Sequence, residues 1–203
     1  VENLVNIRVC GGNSYVGGVV GYLSGSTSTI SYSSNSGNID VNSTSTSYSL
    51  NNLDNSSVTA SKLSATMKKY DATLSTDLPS DDKTIPANAD VASNLNSVIG
   101  GIAGYNGGSI SNSYNTSTLM NNYNKGGSGN FASGGVAGYS VGSINNSFNT
   151  GYVVSGNNAN SGIALAGGIV GYSDLTSGGE VKNNINDAKV QAVSKLNNGA
   201  DNY

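Results

Sequence analysis

The chain alternates short apolar runs with longer stretches of Ser, Asn, Thr and Gly, and the apolar runs recur. Four hexads mark the recurrence: GGVVGY at 17–22, GGIAGY at 100–105, GGVAGY at 134–139 and GGIVGY at 167–172. Behind each hexad, equivalent positions line up as columns. Ile30, Ile110, Ile144 and Val181 occupy one apolar column, and Ile39, Leu119, Val153 and Val190 another. Between them stand Asn35, Asn115, Asn149 and Asn186, preceded by Tyr114, Phe148 and Ile185 but by Ser34 in the first unit. A second asparagine column holds Asn112, Asn146 and Asn183, where the first unit has Tyr32. The spacing is 34 residues from Gly100 to Gly134 and 33 from Gly134 to Gly167. A fixed period with matching columns signals stacked repeats and outranks local propensity.

Each unit predicts three short strands: the hexad, a second around 109–115 or 143–149, and a third around Leu119 or Val153. Strands this short bury nothing alone. Wound as coils about 4.8 Å apart, they place each column above its equivalent in the next coil. Identical asparagines then form amide ladders along the axis. The expected fold is all-β: a parallel β-solenoid (β-helix) of about four to five coils, one domain over 1–203, with one partly helical insertion. Gly17, Gly18, Gly100, Gly101, Gly134, Gly135, Gly167 and Gly168 are read as the corners that open each coil, where positive φ is allowed. Gly104, Gly138 and Gly171 leave room for a Tyr or Ile of an adjacent strand, and most repeat tyrosines are assigned to the stacked core. A phosphate cradle would need a helix after the glycines and usually a Lys, neither of which the pattern supplies.

Residues 1–16 read as a strand followed by a Gly-Gly-Asn turn. Residues 43–99 break the period and are read as an insertion. Within it Leu63, Met67, Tyr70 and Leu74 fall at helical spacing, with Lys62, Lys68 and Lys69 on other faces and Ser57 as N-cap. That pattern predicts an amphipathic helix over 58–75. Pro79 and Pro86 bracket a loop beyond it. The insertion either packs on the solenoid or projects from it as a recognition element. The chain begins at Val1 without a signal-peptide pattern, so a processed chain or an excised piece is expected. After Asn202-Tyr203 a further hexad is due. The next coil is therefore expected from flanking sequence or from another copy, and a head-to-tail contact that does not close gives a filament.

Composition narrows the chemistry. Charged residues are 10% and the net charge is −3, so no basic patch exists to neutralise phosphates and nucleic acid is not an expected partner. No apolar run is long enough for a membrane span. The regular apolar register distinguishes the chain from a disordered polar tract. Cys10 is the one cysteine, so it has no internal disulfide partner, and it reads as a small buried hydrophobe. Histidine is absent, which removes the Ser-His-Asp triad, the His-Glu-x-x-His motif and histidine zinc sites. A carboxylate-pair glycan hydrolase would have to draw on Asp40, Asp54, Asp174, Glu180 and Asp187. These do not recur in columns and read as solvated surface charges. Asp77, Asp81, Asp82 and Asp90 match no calcium-loop spacing. The Asn-x-Ser/Thr sequons at Asn42, Asn55, Asn115 and Asn145 are at chance level for this composition. No catalytic residue, cofactor or metal site is expected.

GGVAGYSVGSINNSFNTGYV at 134–153 and GGIAGYNGGSISNSYNTSTL at 100–119 resemble the GLUG motif. The unit from 167 is a looser match, and the unit from 17 lacks the usual aromatic at Ser34. The resemblance covers the chain outside 43–99. It implies a secreted or surface-exposed bacterial protein, since such repeats occur in large adhesin-like proteins and beside the catalytic region of immunoglobulin A-cleaving metallopeptidases. The expectation is therefore a non-enzymatic extracellular structural or adhesive module. Its expected partners are copies of itself or flanking coils, and a host or matrix protein or glycan. The alternatives are the non-catalytic region of a large secreted peptidase and a glycan-active β-helix enzyme.

Overall fold

The polar stretches between apolar columns are rich in Gly, Asn and Ser, and in the folded chain they are the corners of a coil. The computed structural model describes residues 1–9, 14–42, 95–123, 130–157 and 163–194. Two strands, β1 (Glu2–Asn3) and β2 (Ile7–Val9), come first. Four coils of five strands follow. The first holds β3 (Ser14–Gly17), β4 (Val20–Leu23), β5 (Thr29–Ser31), β6 (Ser34–Asn35) and β7 (Ile39–Asn42). The second holds β8 (Leu95–Gly100), β9 (Ala103–Asn106), β10 (Ser109–Ser111), β11 (Tyr114–Asn115) and β12 (Leu119–Tyr123). The third runs through β13 (Asn130–Gly134), β14 (Ala137–Ser140), β15 (Ser143–Asn145), β16 (Phe148–Asn149) and β17 (Val153–Asn157). The fourth comprises β18 (Ala164–Gly167), β19 (Val170–Ser173), β20 (Val181–Lys182), β21 (Ile185–Asn186) and β22 (Val190–Ser194).

Equivalent strands of successive coils pair in parallel, giving five narrow sheets that run along the axis. The described residues thus form an all-β parallel β-solenoid of about four turns, as the columns predict. β1 and β2 add to the sheets of β6 and β7, so they are the last two walls of a coil ahead of the first. Register follows the columns: Ile110 lies between Ile30 and Ile144, and Leu119 between Ile39 and Val153.

Each coil has five strands where the sequence predicts three, and the extra bends have a cause. The segment read as one strand at 109–115 breaks at Asn112, whose φ is +48°. Asn146, Asn183 and Tyr32 take the same left-handed conformation at φ +52°, +55° and +50°. The second asparagine column is therefore a left-handed corner, which Asn tolerates better than most residues. The hexad also divides. Its first glycine ends one strand, and the next strand begins at its fourth residue. Residues 95–99, predicted within the insertion, belong to β8, which pairs with β3 through Ser97–Ser14 and Gly100–Gly17. The helix predicted over 58–75, its Ser57 cap, Cys10, and the residues Asp54, Asn55, Asp77, Asp81, Asp82 and Asp90 lie outside the described residues.

Among the described residues, two apolar stacks stand out in the interior. Val16, Ile99, Ile39, Val41, Leu119 and Val153 form one, between the sheets of β3 and β7. Ile102, Ala103, Val136, Ala137, Ile110 and Ile144 form the other, between those of β4 and β5. Full burial of each Val, Leu or Ile contributes about 1.5–3 kcal/mol. These stacks orient the polar column between them.

Candidate functional site

The most organised polar feature is the asparagine column. Asn35, Asn115 and Asn149 are fully buried. Asn35 Nδ2 donates to Asn115 Oδ1 at 2.9 Å, Asn115 Nδ2 to Asn149 Oδ1 at 2.8 Å, and Asn149 Nδ2 to Asn186 Oδ1 at 2.8 Å. Asn3 extends the ladder by donating to Asn35 Oδ1 at 2.7 Å. All four bonds run in one direction along the axis. Asn149 and Asn115 also close on their own corners, whereas Asn35 gives its second N–H to Ser117 Oγ of the next coil. Asn149 Nδ2 donates to the Gly151 carbonyl, and its Oδ1 accepts the Gly151 N–H. Asn115 does the same with the Ser117 carbonyl and N–H. A primary amide has two donors and a two-lone-pair acceptor, and at Asn115 and Asn149 every one of them is used. A fully satisfied buried network of this kind rigidifies and specifies a core.

The hexad's second glycine makes room for this ladder. A Cβ on Gly101 would lie 2.3 Å from the Gly135 carbonyl oxygen and 2.5 Å from Asn115 Cβ. Gly18, Gly135 and Gly168 meet Asn35, Asn149 and Asn186 in the same way. The first glycines, Gly17, Gly100, Gly134 and Gly167, have no space either. A Cβ there would stand within 2.0 Å of the carbonyl oxygen three residues on. None of the eight has positive φ: among the described glycines only Gly25 and Gly178 do. The corner glycines are thus required for close approach, which corrects the expectation of a left-handed turn. Gly138 likewise admits the neighbouring wall, with Ile99 backbone and Val98 Cγ1 within 2.8 Å of where its Cβ would be.

A serine column supports the left-handed corner. Ser113 Oγ accepts the Ser33 N–H from the coil before and donates to the Ser111 carbonyl, at 3.2 and 2.8 Å. Ser147 repeats both bonds with Ser113 and Asn145. Neither Asn3 nor this serine column was identified from sequence. A signal for Asn3 exists: Asn3 precedes Ile7 by four residues, as Asn35 precedes Ile39.

The hexad tyrosines are on the outside, which corrects their assignment to the core. Tyr22 is 53% exposed and Tyr15 44%, and Tyr105, Tyr139 and Tyr172 are half-buried. Their rings form a row. Tyr22 and Tyr105 stack face to face at 4.3 Å, and Tyr105–Tyr139 and Tyr139–Tyr172 follow at 5.2 and 5.3 Å. The rings pack on one another and form no flat platform. Burial first, then the Asp174 charge and neighbouring tyrosines, push the Tyr139 phenol up to about 12. Burial and Tyr22 raise that of Tyr105. Tyr114 is the repeat tyrosine that does enter the interior, stacked on Phe148 at 5.0 Å.

The described candidate carboxylates lie on two coils. Asp40 sits on the first coil, 3.8 Å from Arg8. Asp174, Glu180 and Asp187 are on the fourth coil. Asp174 is bonded by the Thr176 hydroxyl and N–H, which hold its carboxyl below the ordinary value. Glu180 is paired with Lys182. Among the described residues no group of three acidic, Cys or His side chains gathers to hold a metal. No described helix is long and apolar enough to cross a membrane. The sequon asparagine Asn115 is sealed in the ladder and closed to modification in the folded chain.

The site therefore offers neutral, saturated amides and a row of phenols, with order as its chief property. No curated protein and no solved structure matches the chain. The family model for the GLUG motif matches residues 12–42 and 96–120, which contain the hexads, left-handed corners and ladder asparagines of the first two coils. The third and fourth coils lie outside that match and stack on it in the same register. The first two coils thus match the GLUG motif, and the described residues form a β-solenoid built around an asparagine ladder.

Proposed function

We propose that the chain is a non-enzymatic structural module of a bacterial surface or secreted protein, and that copies stack head to tail along the solenoid axis. The observation that carries the reading is the polarity of the ladder. Every ladder amide donates in one direction, from Asn3 to Asn186. Asn186 is exposed and uses its amide nitrogen on the Ala188 carbonyl, which leaves one N–H directed onward. At the other end Asn3 Oδ1 accepts the Val5 N–H and retains a second lone pair. Asn186 of one copy meeting Asn3 of the next repeats the bond made within the chain.

The apolar columns support the same contact. Val181 is 37% exposed and Ile185 and Val190 are partly so. Among the described residues each strand of the fourth coil has a parallel neighbour on one side only. Such edges pair with further strands unless blocked. The non-enzymatic reading rests on the partners these carboxylates take: Asp40 pairs with Arg8, Asp174 with Thr176 and Glu180 with Lys182. The surface setting rests on the GLUG resemblance, and any adhesive contact with a host or matrix protein or glycan belongs to the same proposal.

Sizing and negative-stain microscopy of the purified chain test the stacking. Concentration-dependent rods are expected, and Ile185→Lys, which places a charge on the docking edge, should abolish them. A strictly monomeric chain at high concentration would refute self-stacking.

A further inference from the structure

We propose that Tyr22 and Tyr105 are a site of oxidative cross-linking, where a dityrosine bond ties the first coil to the second. The two residues are direct partners in the parallel register of β4 and β9. Their rings are stacked with centroids 4.3 Å apart and planes within 10°. Parallel stacking at this separation brings the two ring faces, with the carbons ortho to their phenolic oxygens, into contact. The other contacts in the row are edge-on or tilted, at 75–76° for Tyr15–Tyr22, Tyr15–Tyr105 and Tyr105–Tyr139 and 56° for Tyr139–Tyr172. Those geometries set an edge against a face and do not superpose the coupling carbons. Tyr22 is 53% exposed, so an oxidant in solution reaches the pair.

The oxidant class is a haem peroxidase with hydrogen peroxide. Each phenol loses one electron and one proton and becomes a neutral phenoxyl radical. The two radicals couple through ortho ring carbons, forming one C–C bond. The hydrogens on those carbons move to the oxygens and both rings regain aromaticity. Overall each tyrosine has lost one hydrogen atom, and the peroxide has taken up two electrons and two protons to leave as two waters. The new bond closes a loop of 83 residues and so restricts the unfolded chain. The proposal concerns one chain and does not depend on end-to-end stacking.

The test treats the dilute full chain with peroxidase and peroxide. The monomer should lose the mass of two hydrogens and gain the blue dityrosine fluorescence. Trypsin should release peptide 9–62 joined to 84–125, with the link mapped to Tyr22 and Tyr105. Tyr22→Phe and Tyr105→Phe keep a ring for stacking and should each abolish the product, with native circular dichroism. Tyr139→Phe should leave it in place. Persistence of the mass loss in Tyr22→Phe, cross-links found only between molecules, or equal yield from the urea-unfolded chain would each overturn the assignment.

Discussion

Replacing Asn115 by Ala measures what the ladder contributes. The substitution removes the 2.9 Å bond from Asn35 Nδ2 and the 2.8 Å bond to Asn149 Oδ1. It also removes the 3.0 Å bond to the Ser117 carbonyl. Asn149 Oδ1 keeps the Gly151 N–H, and Asn35 keeps one bond to Ser117 Oγ. Three groups lose their partner outright, an Asn35 N–H and the carbonyl and N–H of Ser117, and the Ser117 hydroxyl loses its acceptor. At about 1–3 kcal/mol for each buried unsatisfied group, the cost is about 3–9 kcal/mol, with about 6 as the central value. A water that fills the vacated space would bring the figure toward the lower bound. Asn186 is exposed, so Asn186→Ala should cost about 1 kcal/mol or less. Urea unfolding followed by far-ultraviolet circular dichroism reads both. With m of about 2 kcal/mol/M, Asn115→Ala should lower the midpoint by about 3 M and Asn186→Ala by about 0.5 M or less. A loss of under about 1 kcal/mol for Asn115→Ala at unchanged m, or equal losses for the two variants, would refute a buried, saturated ladder.

Three further outcomes follow from the same geometry. Gly101→Ala should destabilise by about 3 kcal/mol or more, because its Cβ meets the Gly135 backbone and the ladder rather than a side chain that can swing away; wild-type stability by urea titration would contradict it. Tyr32 holds φ +50° with its side chain 80% exposed, so Tyr32→Asn should stabilise by about 0.5–1 kcal/mol, and Asn146→Ala should destabilise by about 1 kcal/mol. The opposite order in thermal midpoint would sink the left-handed corner. Tyr139 titrates at about 12 in the folded chain against 10.0 ordinarily. Between those values the unfolded chain loses this proton while the folded chain keeps it, so this contribution is intact below pH 10 and is lost as pH rises toward 12. Tyr139→Phe should flatten the alkaline fall in stability, and an unchanged slope would count against the shift.

The apolar and asparagine columns are visible in sequence because a parallel in-register stack brings each residue against its own equivalent. Repetition of Ile110 by Ile144, or of Asn115 by Asn149, is the physical contact itself. The number of strands per coil is not visible, since the breaks fall at backbone conformations rather than at breaks in pattern. Asn112 and Asn146 look like ladder members until their φ values show a corner. Asn3 hides because Leu4, Val5, Ile7 and Val9 read as one continuous strand, while the chain bends between β1 and β2. The hexad tyrosines mislead because identity in a column says that rings stack without saying on which side of the wall. Ser34 shows the converse: the first unit departs from the aromatic pattern, yet β6 keeps its register with β11.

The scarcity of charge follows from the stacking. Strands of a parallel solenoid place equivalent side chains about 4.8 Å apart in every coil. Two like charges near 4 Å repel by about 1 kcal/mol in water and about 4 kcal/mol at the effective dielectric near a protein surface. A charged column would accumulate that cost at each step, whereas Asn, Ser and Thr bond to their own kind. The charges that remain fit the rule. Arg8 and Asp40 are partners in register and opposite in sign, and the column then continues as Met120, Val154 and Gln191. Lys182 stands over Asn145 and is paired with Glu180 in its own coil. The low-charge composition is therefore a property of the coil before it is a sign of where the protein works. A Val154→Asp substitution beside Met120 should be tolerated, while Asp placed at both 120 and 154 should cost more than the sum of the single changes. Additivity of the two, measured by urea unfolding, would remove like-charge repulsion as the reason the columns are neutral.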